Sequence, residues 1–279
     1  MGSGCVPPSA VRFGMTTERK RFPIFVIPDV RAALGAVDPE PTLRRAFALS
    51  RQGPLGHTAG MLTIACNAGL AFEVEPAATA LIAIDLQRDF LDPAGYVAAA
   101  GDDVSAMRAI IPNAVALLAT ARAAGLTVIH TREGYAPDLS DMHALKRERN
   151  SAGTPGPLGR FLIRGEAGHG HIAECLPLDG EVVVDKPGFG SFYRTDLETI
   201  LHDRGIERLI LLGVTTQCCV ASTMREAVDR GFRCLTVEDA YAAVTPELHA
   251  AAISLIYGEG NLFGWVSDTR RVLAGLASP

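Results

Sequence analysis

The chain has 279 residues, 48% hydrophobic and 20% charged, with a formal net charge of −5. That length and apolar content suit one large domain or two small ones, and the mild acidity excludes the basic footprint of a nucleic-acid binder. No apolar run reaches the roughly 18 residues a membrane helix needs, and Cys5, Cys66, Cys175, Cys218, Cys219 and Cys234 show neither C-x-x-C spacing nor a preceding signal peptide, so they read as free thiols in a reducing, cytoplasmic setting.

Residues 1–60 mix Pro, Gly and charge without period, apart from a helix-compatible patch at Leu43–Arg51. They are expected to form a poorly ordered or loosely packed extension, and "MLTIACNAG" reads as a fresh beginning at Met61. A single domain is expected over residues 61–279. "TALIAID" (Thr79–Asp85) is an apolar strand ending in a carboxylate. A long helical pattern over 103–125 closes on Gly125, and "LTVIHT" (Leu126–Thr131) is a second strand. After a polar segment, "EVVVDK" (Glu181–Lys186) is a third strand, and "TDLETILHDRG" is a helix with Thr195 as its cap and Gly205 as its stop. "ERLILLG" (Glu207–Gly213), "RCLTVED" and the short "NLFGWVS" supply three more strands. The helix "CVASTMREAVDRG" and a helix opening on Pro246 separate them, and a last helix runs to the C-terminus.

Strands that are apolar throughout, alternating with helices, signal a parallel sheet buried on both faces. Right-handed crossovers then favour a doubly wound α/β fold, whose ligands sit beyond the carboxyl ends of the strands. Three chemically able groups fall there: Asp85, Lys186, and the thiols of "GVTTQCCV" (Gly213–Val220). A thiol in the first turn of a helix has its thiolate stabilised by free backbone N–H groups, and a nearby ammonium adds to this. A carboxylate can take the thiol proton and later hand it to a leaving amine. The expected reaction is acyl transfer through a thioester, then hydrolysis. Spacing alone does not choose between Cys218 and Cys219.

Other residues near these ends read two ways. Phe90 either stacks on a planar substrate or belongs to the core. Arg132 and Glu133 either shape the pocket mouth or form an internal ion pair. The run Lys146, Arg147, Arg149 reads as a solvated face. His169 and His171 lack a third ligand of matching spacing, so no metal is expected there. Gly188 and Gly190 in "KPGFGSF" fit no phosphate loop, and no nucleotide cofactor is implied.

"ALIAIDLQRDF", "KPGFGSFYRTDLE" and "GVTTQCCVASTMREAVDRGF" resemble, in order, the signature segments of the isochorismatase-like cysteine hydrolases. The resemblance runs from about Phe72 to Leu276. It implies a three-layer αβα, Rossmann-like fold with a six-stranded parallel sheet and a triad of Asp85, Lys186 and Cys219. It also implies a cis peptide between Val214 and Thr215, an oxyanion hole from the N–H groups of Thr215 and Cys219, and a homo-oligomer. The family pattern selects Cys219 and leaves Cys218 as an inert neighbour. "HTREGYAPDLSD", "GPLGRFLIRGEAGH" and "MREAVDRGF" are similar to the biuret- and triuret-hydrolase branch, and "FGWVSD" is shared with the ureidoacrylate branch. The resemblance therefore implies C–N cleavage in a small ureido or amide compound; Phe90, Val214 and Glu259 are the candidates to face it, with Glu259 otherwise a surface residue near a helix end. Nicotinamidase-like relatives carry an Asp-and-His metal cluster after the second strand; it is missing here, so no metal is implied. Glu259 stands where the biuret pattern has Gln, and an ionised Glu only accepts hydrogen bonds, which suits a substrate rich in N–H groups. Isochorismatase-type vinyl-ether cleavage and a Cys218–Cys219 redox switch are the competing readings.

Overall fold

A computed structural model of the chain describes residues 60–277, with the side chain of Glu259 excepted. The expected extension, with its Leu43–Arg51 patch, lies outside the described residues except for Gly60.

The described chain opens with an antiparallel hairpin, β1 (Leu62–Ala65) and β2 (Ala71–Val74). The sequence reading had no element here, because four-residue strands carry too little periodicity to be seen. Six parallel strands follow: β3 (Thr79–Ile84), β4 (Thr127–Glu133), β5 (Val182–Lys186), β6 (Arg208–Val214), β7 (Arg233–Ala242) and β8 (Trp265–Ser267). Their order across the sheet is β8-β7-β6-β3-β4-β5. Helices α1 (Ile111–Ala123), α2 (Ala144–Arg149), α3 (Leu197–Asp203), α4 (Ala221–Asp229), α5 (Pro246–Asn261) and α6 (Thr269–Leu276) lie between and after them. The expected three-layer fold with a six-stranded parallel sheet is what the chain adopts.

β3 and β6 are buried along their whole length, as uninterrupted apolar runs require. The edge strand β5 differs, since its Val183 is 38% exposed. From β3 the chain builds outward through β4 to β5, then returns beside β3 and builds the other way through β6, β7 and β8. Right-handed crossovers running in opposite directions set α1 and α4 on opposite faces of the sheet. The order reverses between β3 and β6, and that switch point opens a crevice beyond their carboxyl ends.

Local chemistry moved several boundaries. The helical pattern over 103–125 divides into a short turn, Ser105–Arg108, and α1, because Pro112 lacks an N–H and fits only a first turn. α1 buries Ile111, Ala114, Leu117, Leu118 and Ala121 on one stripe. α3 begins at Leu197 rather than at Thr195; the Thr195 hydroxyl accepts from the Leu197 N–H at 3.3 Å but donates to Ser191 O at 2.6 Å. Gly205 ends that helix with φ +67°. α5 is capped by Thr245, whose hydroxyl accepts from Leu248 N at 3.3 Å, and it runs on to Asn261, which leaves β8 three residues.

Candidate active site

Four side chains from four adjacent strands meet at the switch point. Asp85 follows β3 directly and takes a left-handed φ of 53°. Glu133 and Lys186 are the last residues of β4 and β5. β6 leads through Val214 and Thr215, joined by a cis peptide at the position the resemblance implies, into a π-helical turn, Thr216–Val220, that carries Cys219. Gly213 makes this approach possible: its φ is +126°, and a Cβ there would lie 2.1 Å from Ile84 O. The sequence reading put Cys219 in the first turn of an α-helix. It lies instead in a wider turn whose Val220 N–H reaches back to Thr215 O, and α4 starts only at Ala221.

Burial is nearly complete, with Asp85 and Lys186 0%, Glu133 2% and Cys219 4% exposed. The Lys186 ammonium lies 2.8 Å from Asp85 Oδ2 and 3.8 Å from Glu133 Oε2, and it donates to Gly188 O and Phe189 O at 3.0 and 2.9 Å. Thr131 Oγ1 donates to Asp85 Oδ1 at 2.7 Å. Cys219 Sγ donates to Glu133 Oε2 at 3.3 Å. Lys146 Nζ and Tyr135 Oη hold the other oxygen, Glu133 Oε1, each at 2.8 Å. Gln87 clamps the Glu133 backbone from both sides: its Oε1 accepts the N–H at 2.8 Å and its Nε2 donates to the carbonyl at 3.0 Å.

These surroundings set the ionisation. Burial raises the Asp85 carboxyl, against the pull of Lys186. Burial works the same way on Glu133, but Lys186 and Lys146 outweigh it and hold that carboxyl below its ordinary range. Asp85, Cys219 and Glu133 keep Lys186 protonated despite its burial. The hydrogen bond with Cys218, together with burial, holds the Cys219 thiol well above its ordinary value. The sequence reading expected the lysine and the helix end to favour a resting thiolate; desolvation and the neighbouring acids reverse that.

Asp85, Lys186 and Cys219, singled out from the sequence, are thus brought together. Thr215 is half-buried at the entry to the π-turn, and Val214 is buried beside it. Phe90 is half-buried and packs edge-on against Phe161 at 5.9 Å between ring centres. Glu259 lies on α5, and its side chain is outside the described set. Glu133 resolves to the ion-pair alternative, with Lys146 as partner, whereas Arg132 pairs with Asp185 at 2.7 Å. Lys146 is the clear departure from expectation. It sits in a charged run that reads as solvated, yet it is 5% exposed and lies 3.8 Å from the centre of the Phe189 ring. The helical period turns one member of that run inward, and the run itself carries no sign of which. A cleft of about 440 Å³ adjoins the site, lined among others by Lys146, Phe189, Tyr193, Ser222 and Glu226.

Among the described residues, the acid, thiol and imidazole donors that converge within 4.8 Å of one another are those of Asp85, Glu133 and Cys219. The Lys186 ammonium already stands against both carboxylates of that group, which fits an internal counter-ion better than a metal ion. His169 and His171 are buried, neither Nε2 making a hydrogen bond; His169 Nε2 lies 3.6 Å from Asp185 Oδ1, and His171 stacks edge-on with His130 at 5.3 Å.

A family model described as Isochorismatase domain matches residues 79–271. A cysteine hydrolase from Pseudomonas syringae pv. phaseolicola 1448A is 27% identical, with 73% of this chain and 94% of that one covered and a TM-score of 0.64. An isochorismatase family protein from Desulfovibrio vulgaris subsp. vulgaris str. Hildenborough is 25% identical over 72% and 99% of the two chains, with a TM-score of 0.61. An N-carbamoylsarcosine amidase from Thermoplasma acidophilum is 25% identical over 68% and 96%, with a TM-score of 0.53.

Proposed function

The chain belongs to the isochorismatase family of hydrolases, and from that premise we propose that it is a cysteine-dependent amidohydrolase that cleaves a C–N bond in a small ureido or amide compound of the biuret or triuret kind. The observation that carries this reading is the buried convergence of Asp85, Lys186 and Cys219, with the ammonium 2.8 Å from the Asp85 carboxylate. A silent binding module has no need of an acid, an amine and a thiol sealed together at a switch point.

In this reading Cys219 is the nucleophile. Its sulfur attacks the carbonyl carbon, and the N–H groups of Thr215 and Cys219 receive the oxyanion. Lys186 supplies fixed positive charge and Asp85 holds Lys186 in place. The tetrahedral intermediate collapses with loss of the amine, leaving a thioester, and water then releases the acid and restores the thiol. Val214, Phe90 and Glu259 are proposed to face the substrate, with the Glu259 carboxylate taking up N–H groups. No metal or organic cofactor enters the scheme. The likeness to an N-carbamoylsarcosine amidase supports a second reading, a substrate with an N-carbamoyl amine or ureidoacrylate skeleton.

The test is ammonia release from biuret, triuret, ureidoacrylate, carbamoylated amines and nicotinamide. At least one ureido compound is expected to turn over, and Cys219→Ala is expected to lower that rate by roughly 10³-fold or more. Release from no member of the panel would remove the amidohydrolase reading, and an active Cys219→Ala protein would remove the nucleophile.

A further inference from the structure

Resting on the amidohydrolase reading, we propose that His249 is a positioning residue for the nucleophile, its bond to Thr216 holding in place the π-turn that carries Cys219. Thr216 is the first residue of that turn and is 2% exposed. A hydroxyl buried so deeply needs a partner. The partner comes from 33 positions along the chain: Thr216 Oγ1 and His249 Nδ1 share a hydrogen bond at 2.9 Å.

The other bonds of the turn show why this one matters. Thr215 O accepts the N–H groups of Cys218 at 3.0 Å and Val220 at 3.3 Å, and Thr216 O accepts that of Ala221. These close the turn on itself and do not fix it against its neighbours. Among the described residues, two side-chain hydrogen bonds tie it to other elements: Cys219 Sγ to Glu133, and Thr216 to His249. The first is lost once the sulfur gives up its proton and forms the C–S bond. The second involves no reacting atom and outlasts the chemistry.

His249 is suited to be the fixed end. It lies near the start of α5, where its N–H donates to Thr245 O at 3.2 Å and the Thr245 hydroxyl caps the Leu248 N–H. Burial holds its ring below the ordinary value against the pull of Glu238, so a neutral imidazole meets the hydroxyl. Thr216 stands between Thr215 and Cys219, whose N–H groups the proposed scheme gives to the oxyanion. A slip of about 1 Å in such a segment costs on the order of 10²-fold in rate. The part of His249 is to keep the sulfur and those two N–H groups in one register.

The experiment uses the full chain as wild type, His249→Ala, His249→Asn, Thr216→Val, and Thr216→Val with His249→Ala. His249 is half-buried, so its variants carry the test should Thr216→Val fold poorly. Two quantities are read well below the melting temperature: steady-state ammonia release, and hydrogen–deuterium exchange of the peptide covering Thr215–Val220. His249→Ala and Thr216→Val are each expected to lower kcat by roughly 10- to 100-fold, with KM within about twofold of wild type. Exchange in the Thr215–Val220 peptide is expected to rise about fivefold or more, with peptides from β3 and α1 unchanged. His249→Asn puts an amide, able to donate or accept, where Nδ1 stood, and is expected to restore both readouts. The double variant is expected to match the single ones, since all of them remove the same bond. A merely structural role gives a different result: exchange that quickens across the whole sheet, with kcat per folded molecule unchanged. That result overturns the proposal, as does unchanged exchange at Thr215–Val220, no restoration by His249→Asn, or a double variant whose losses multiply. If wild type releases no ammonia from any ureide, the amidohydrolase reading fails separately; exchange in the turn and its restoration in His249→Asn need no substrate and still decide whether His249 holds it.

Discussion

His171 and His169 are neutral passengers of burial, and this gives the molecule an acid weakness. Burial holds His171 down to about 3 and His169 to about 4, whereas an exposed histidine titrates near 6.5. Between those values the unfolded chain binds protons that the native state refuses, so unfolding free energy rises with pH there. The contribution is present in full above about pH 6.5 and is lost as pH falls toward 4, by roughly 1.4 kcal/mol per pH unit for each histidine. His171→Gln is expected to flatten that slope by about one proton, as read from urea midpoints at pH 7, 6 and 5. A slope equal to wild type would mean that His171 titrates normally in the native state. At this scale the sequence was informative about residue types and weak about partners. Asp85, Lys186 and the Cys218–Cys219 pair were legible because strand ends point at the crevice, and only the family pattern singled out Cys219. Lys146 was not, since its pairing with Glu133 spans 13 positions in the chain and exists only after β4 and α2 pack.

Among the elements, β6 and its exit carry the tightest constraint. Gly213 is both the hinge of the strand end and the point of closest approach to β3. An alanine there would adopt φ +126° and drive its Cβ into Ile84 O. Gly213→Ala is therefore expected to cost about 3 kcal/mol or more and to lower activity along with Tm, since the same segment carries Val214, Thr215 and Cys219. A thermal midpoint within about 2 °C of wild type would contradict this. The strands were readable as apolar runs bounded by charge or glycine, and the helices as periodic patterns with glycine stops. The π-turn was not readable, because nothing in "TTQCCV" separates a wide turn from an α-helical first turn; the difference comes from how β6 delivers the chain. The hairpin β1–β2 and the short β8 were missed or misjudged for want of length.

For the whole molecule, the family match begins at Thr79, but the packed unit begins earlier. Ile64, Phe72 and Val74 of the hairpin are buried in the same core as β3 and β6, and a Cβ on Gly275 of α6 would lie 2.6 Å from Thr63 O. Burying each of those three side chains is worth about 1.5–3 kcal/mol. We propose that residues 1–60 are dispensable, so a chain starting at Met61 is expected to keep the Tm and turnover of the full protein. One starting at Thr79 is expected to lose several kcal/mol or to fail to fold. Equal melting temperatures for the two truncations would show that the hairpin is ornamental. The fold class was plain from sequence because the alternation of buried strands and helices leaves few arrangements; the hairpin's docking on α6 joins chain ends that no local pattern connects.

The clustering of Asp85 and Glu133 with Lys186 and Lys146 has a consequence for how the sulfur ages. Two anions and two cations cancel, so a thiolate at Cys219 would be an unmatched fifth charge among buried groups. Oxidants attack thiolates far faster than thiols. On the proposed function, a sulfur kept as S–H at rest would be shielded from peroxide between turnovers and become reactive only when a carbonyl carbon is in position to receive its electron pair.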